Sequence, residues 1–241
     1  MEDEATFDGQ PCKLFSEVDM SKEAPTIQEL SCVLAPTPRV GSIAVLEQAH
    51  LDLLDLHLIG SERRLSALQR SALRWYAKAC AESNVFDRFI GQWIAFSLQY
   101  GPLVTNGERS AFDAFIRASL DLGASGCVRQ AVAGTLVNLA AANLVLKRGK
   151  NSRVSTALAR LLAPGVITAT DLDVVVAGVD CVYAVRNDLF HGTRDLATPV
   201  ERQQLRDAAA LVLQVNRYSL SRHMCGKTMP FPRVKQQTPP S

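Results

Sequence analysis

The sequence predicts an all-α fold, a helical bundle with an irregular N-terminal segment and a Pro-rich C-terminal tail. Three observations carry this. Ala, Leu and Val are plentiful while aromatic residues make up only 6%, which favours helices in the core. From Ser61 onward, apolar residues recur at the three- and four-residue spacing of a buried helix face. Start and stop signals for helices flank those stripes.

The elements follow in order. The first 60 residues form an acidic, irregular segment. Residues 1–31 hold eight acids against Lys13 and Lys22. Pro36, Pro38 and Gly41 then break structure, and a helix is expected near 43–57. His50 and His57 share a helix face there, but Asp52 and Asp55 complete no known metal-ligand pattern, so a surface or packing role is favoured. Residues 61–222 form the helical domain. Its first stripe is Leu65, Leu68, Ala72, Trp75 and Ala79. Asn84 is a candidate N-cap for the next helix, whose stripe of Phe86, Phe89, Ile90, Trp93, Phe96 and Tyr100 is closed by Gly101-Pro102. A third helix is expected near 107–122, with Phe112, Phe115, Ile116 and Leu120. Gly123-Ala-Ser-Gly126 reads as a turn. A helix over 125–147 follows, with Val128, Val132, Leu136, Leu139 and Leu144, and a shorter one near 152–162 is stopped by Pro164-Gly165.

The segment 171–191 is rich in β-branched residues but too long for one buried strand. Thr170 and Asp173 resemble a capping box, and Gly192 suits the left-handed residue beyond a helix end. Being apolar on nearly every side, it is expected to be the central helix. The last helix opens with Thr198-Pro199-Val200-Glu201, a strong start signal, and runs through Leu205, Ala208, Val212, Val215 and Ser219. Residues 223–241 form a basic, Pro-rich tail. No acid follows Asp207, whereas Arg217, Arg222, Lys227, Arg233 and Lys235 do. The tails read as solvated ends, with phosphate binding by the basic one as the alternative.

Several classes are disfavoured. The net charge of +2 is too mild for a dedicated DNA binder. Six scattered cysteines, none in C-x-x-C spacing, argue against a zinc ribbon or a redox pair and suggest free thiols in a reducing cytoplasm. The acidic N-terminus lacks an apolar signal region. The most apolar stretch, Val128 to Leu146, contains Arg129, Gln130, Asn138 and Asn143, so no membrane span is expected. P-loop, nucleophile-elbow and zinc-protease motifs are missing, and no cofactor or metal is called for.

Chemistry concentrates in Arg186-Asn187-Asp188-Leu189-Phe190-His191. On a helix, Asn187 and His191 lie about 40° apart and share a face, whereas Arg186 and His191 lie about 140° apart. A long Arg side chain with a fraying last turn at Gly192 could bring the Arg and His together, and so could a second copy of the helix across a two-fold axis. Arg186 interrupts an apolar stripe and needs a partner. An internal carboxylate, Asp180 or Asp188, is the plainer choice. A phosphate, which Arg grips bidentately, is the functional one. Imidazole suits proton transfer near neutral pH, although a lone His at a helix end is more often a cap.

These six residues match the R-x4–6-H signature of the HEPN superfamily, including the polar residue after the Arg. Trp75-Tyr-Ala-Lys-Ala79 and Phe86-Asp-Arg-Phe-Ile-Gly-Gln-Trp-Ile-Ala-Phe96 resemble the opening helices of Apea-like HEPN proteins. The resemblance covers about residues 61–222. Two positions depart from it. Phe96-Ser97 stands where such proteins often carry Leu-Glu, and Thr193 stands where nucleotide-silenced toxins carry Tyr. The resemblance implies a metal-independent endoribonuclease of the toxin or antiviral-defence type. Its partners would be RNA, a second copy docked through the 171–191 helix, and an antitoxin or other defence-system protein. His191 would act as general acid or base, Arg186 would stabilise the transition-state charge, and Asn187 would orient the phosphate or the His. The alternative is a non-catalytic HEPN-like module that binds RNA or a protein.

Overall fold

The computed structural model of the chain describes Leu53 and residues 65–105, 107–120, 122–145, 170–192 and 196–224. The tails, His50, His57 and the expected helix near 152–162 lie outside the described residues, as does the helix near 43–57 apart from Leu53. Among the described residues there are seven α-helices and no strand, so the described part of the chain is all-α. The helices are α1 (Ala67–Ala81), α2 (Val85–Tyr100), α3 (Glu108–Ser119), α4 (Leu122–Ala131), α5 (Ala133–Val145), α6 (Asp171–Phe190) and α7 (Pro199–Met224). No helix among the described residues is long and apolar enough to cross a membrane.

Capping residues set the starts of these helices. Ser66 and Gln69 form a reciprocal capping box at α1. The Asn84 side chain accepts from the backbone N–H groups of Phe86 and Asp87 at α2, as the sequence suggests. The Thr170 hydroxyl accepts from the Asp173 N–H at α6. The return bond of a full capping box is replaced by one from the Thr170 hydroxyl to the Asp173 carboxylate. Thr198 accepts from Glu201 N–H at α7, with Pro199 at the first helical position. At the other end of α6, Gly192 has φ +65 and its N–H bonds the Leu189 carbonyl. That is one of the two bonds of the Schellman arrangement, and it stops the helix.

Three parts of the sequence reading need correction. The face of α1 is rotated from the expected stripe. Leu68 is exposed, while Ala72, Leu73, Tyr76 and Ala79 are buried, because α1 packs against α2 through its Leu73–Tyr76 side. The expected helix over 125–147 is two helices, α4 and α5, with Val132 between them. Gly123-Ala-Ser-Gly126 lies inside α4 and is not a turn. Tertiary burial of Ala124, Ser125 and Val128 outweighs the poor helix propensity of the glycines.

The main core gathers Phe89, Trp93, Phe96 and Tyr100 of α2, Phe112, Phe115 and Ile116 of α3, and the apolar sides of α4 to α7. The central position of α6 is borne out. Its residues 174–182 are all buried. At Gly178 a Cβ would come within 2.5 Å of Leu136 and 2.8 Å of Leu211, so α6 is wedged between α5 and α7. A smaller cluster joins Leu53, Ala72, Leu73, Tyr76, Ala95 and Leu220. Between α2 and α7 runs a buried polar ladder. Asn216 donates to the Gln92 carbonyl and side chain, Gln99 donates to Asn216, and Ser219 donates to Gln99. A buried network satisfied in this way fixes the register of the two helices.

Candidate functional site

The C-terminal third of α6 lies against the start of α3 and the aromatic face of α2. Arg186 reaches into the corner they make. Its guanidinium carbon lies 4.8 Å from the Phe190 ring centre, 5.8 Å from that of Tyr183 and 5.9 Å from that of Trp93. These are cation–π distances. Its Nη1 donates to Asn187 Oδ1 at 2.9 Å and reaches Glu108 Oε2 at 3.5 Å. The side-chain exposures are 27% for Arg186 and 29% for Glu108. Among the described residues, Nε and Nη2 of Arg186 make no hydrogen bond, and Nε is buried. A buried unpaired N–H costs about 1–3 kcal/mol, so this edge of the guanidinium is short of an acceptor.

Glu108 is the first residue of α3, where a carboxylate is favoured by the helix dipole. Two tyrosines hold it. Tyr100 donates to Oε1 at 2.5 Å and Tyr183 to Oε2 at 3.3 Å. Ser97 lies 3.2 Å from the Tyr100 hydroxyl. Burial, and then the bond to Glu108, push the Tyr100 hydroxyl well above its ordinary value, so it stays protonated and remains a donor.

The next residue, Arg109, forms a different pair. Its Nε and Nη2 each meet one oxygen of Asp180 at 2.6 Å. The Asp180 side chain is only 8% exposed. The carboxylate that meets Arg186 is thus Glu108, on another helix, and neither Asp180 nor Asp188. Asp180 is taken by Arg109.

His191 caps α6. Its N–H bonds the Asn187 carbonyl at 2.9 Å and its side chain is exposed. Among the described residues the imidazole makes no hydrogen bond or ion pair. The structure therefore joins Arg186 to Asn187 and leaves His191 exposed at the same helix end, with no hydrogen bond between His191 and Arg186 among the described residues. Phe190 between them is 62% exposed.

Sequence reasoning missed Glu108, Tyr100 and Tyr183 as members of this corner. Tyr100 stood in an apolar stripe, and an acid in a first helical turn is too common to signal a site. The thiols of Cys80 on α1 and Cys181 on α6 are quiet. Burial pushes the Cys181 thiol up to about 12 and raises that of Cys80, so neither supplies a thiolate near neutral pH. No group of three or more His, Cys, Asp or Glu side chains among the described residues is placed to hold a metal ion. Compared with protein families, curated proteins and solved structures, the chain shows no match to any of them.

Proposed function

We propose that the chain is a metal-independent endoribonuclease of the HEPN type, acting as a homodimer whose seam includes the end of α6. The observation that carries this reading is the unbonded Nε–Nη2 edge of Arg186, set beside Asn187 and the exposed His191 at one helix end. That edge is the fork with which Arg grips a phosphate. The resemblance of Arg186-Asn187-Asp188-Leu189-Phe190-His191 to the R-x4–6-H signature supports it.

In the proposed reaction an RNA 2′-OH attacks the adjacent phosphorus. The P–O5′ bond breaks, leaving a 2′,3′-cyclic phosphate and a 5′-OH. His191 of one subunit takes the 2′ proton or gives one to the departing 5′ oxygen. Arg186 holds the extra negative charge of the five-coordinate phosphorus, and Asn187 orients Arg186 through the 2.9 Å bond. An antitoxin or other defence-system partner would act on this surface.

One observation favours a second reading, a non-catalytic module that binds RNA or a protein: Arg186 already faces a carboxylate in its own subunit. The test is incubation of single-stranded RNA with the full chain in EDTA. The nuclease reading expects cleavage that falls at least about 100-fold in Arg186→Ala and His191→Ala, with melting temperatures preserved. Retention of RNA without cleavage supports the second reading.

A further inference from the structure

We infer that Glu108 is a specificity-determining residue of the Arg186 site, an internal carboxylate that an incoming phosphate must out-compete. The inference rests on the proposed reading of Arg186 as a phosphate-binding group.

Three observations carry it. First, the Arg186–Glu108 contact is long, 3.5 Å to a single oxygen, and uses only Nη1. The bidentate edge stays unspent. Arg109, one residue from Glu108, shows what a committed pair looks like in this seam: two bonds of 2.6 Å through Nε and Nη2. Second, Glu108 has its own support. Its shortest bond is to Tyr100 and its second is to Tyr183. Losing the guanidinium leaves both oxygens still hydrogen-bonded, so releasing Arg186 to another anion costs Glu108 little. Third, the ring nearest the guanidinium is Phe190, which is 62% exposed. Exposed side chains change rotamer on fast timescales, so a ligand can reach the buried Nε by turning that ring.

This arrangement sets a threshold. A carboxylate close to Arg186 repels any anion that approaches it. A small anion with no other contact to the protein gains little there. A phosphodiester offers two oxygens to the open edge and neighbouring phosphates for other contacts, so it overcomes the repulsion. Glu108 thereby discriminates against small anions that make no further contact with the protein.

The test uses the full-length protein in EDTA with two probes, an uncleavable 2′-O-methyl RNA oligonucleotide and inorganic phosphate. Removing one like charge about 6 Å from the bound phosphate changes affinity by about tenfold at an effective dielectric of roughly 40, between that of the protein surface and that of water. Glu108→Gln, which keeps an acceptor for Tyr100, is expected to bind the oligonucleotide about tenfold more tightly than wild type. It should also bind inorganic phosphate measurably, as a rise in melting temperature that wild type does not show. Adding Arg186→Ala should abolish both gains. A loss of folding gives weaker binding, never tighter, so a gain separates this role from a structural one. Glu108→Ala should show the same gain if the Gln side chain disturbs the tyrosines. Unchanged or weaker binding in both Glu108 variants, or a gain that persists without Arg186, overturns the inference. The nuclease reading fails separately, when wild type leaves ordinary RNA uncut. A gain seen for inorganic phosphate but not for the oligonucleotide would assign the site to free phosphate and overturn the RNA form of the inference.

Discussion

Three arginine–carboxylate pairs bridge α3 and α6 among the described residues. Arg117–Asp173 lies at the exposed start of α6, and the other two are built in opposite senses. Arg109 of α3 meets Asp180 of α6 through both bidentate nitrogens at 2.6 Å, with the acid almost fully buried. Arg186 of α6 meets Glu108 of α3 through one nitrogen at 3.5 Å, and its bidentate edge has no acceptor. The first pair is closed, and it holds two helices in register. The second is open, and its arginine is positioned by three aromatic rings and Asn187 rather than by its counter-ion. A shared seam thus contains one ion pair suited to folding and one suited to receiving an anion.

The sharpest way to break the comparison is to remove each arginine in turn. Arg186→Ala should lower RNA cleavage by at least about 100-fold. A half-exposed pair contributes little, so its cost in stability should stay under about 1 kcal/mol. Urea melts and a gel assay on the same preparation check both. The complementary change is Asp180→Ala. It strands Arg109 beside a buried seam and should cost about 2–3 kcal/mol, somewhat less than a fully buried pair because Arg109 is part-exposed. A lower urea midpoint with an unchanged slope would show it. If Arg186→Ala proves as destabilising as Asp180→Ala, both pairs are structural.

A packing change sharpens the same point away from the charges. Gly178→Ala places a methyl group against the tips of Leu136 and Leu211 and should cost about 1–2 kcal/mol, read as a lower thermal midpoint. The smallest effect belongs to a third carboxylate, Asp207, whose hydrogen-bond partners are the neutral Gln203, Asn138 and Thr135. Burial raises it above its ordinary value of 3.8. Its contribution to stability is therefore full below that value and is lost as pH rises through the folded value. Asp207→Asn should flatten this part of the stability profile, measured by urea midpoints from pH 4 to pH 7.

Much of the fold was legible because caps and apolar spacing are local. Asn84, Thr170, Thr198 and Gly192 were read from the sequence and act as expected. The central place of α6 followed from its lack of a polar face. What was not legible depends on contacts distant in the chain. The rotation of α1 that exposes Leu68 is decided by α2 and Leu53. The break at Val132 has no proline or turn motif to mark it. Gln92 and Gln99 look like surface residues until Asn216 and Ser219 arrive from α7. In the candidate site, Arg186, Asn187 and His191 carried a recognisable spacing. Glu108 carried none, because its meaning comes from Tyr100, Tyr183 and Arg186 meeting it in space.

The central claim is that the end of α6 cuts RNA by transfer to a neighbouring hydroxyl. Its most direct measurement is the chemistry of the new ends after incubation in EDTA. The account predicts fragments whose 5′ ends accept a phosphate from polynucleotide kinase without prior dephosphorylation and whose 3′ ends are cyclic phosphates, none of them formed by His191→Ala. Fragments with 5′-phosphates, or the same cyclic ends at an undiminished rate from His191→Ala, would contradict it.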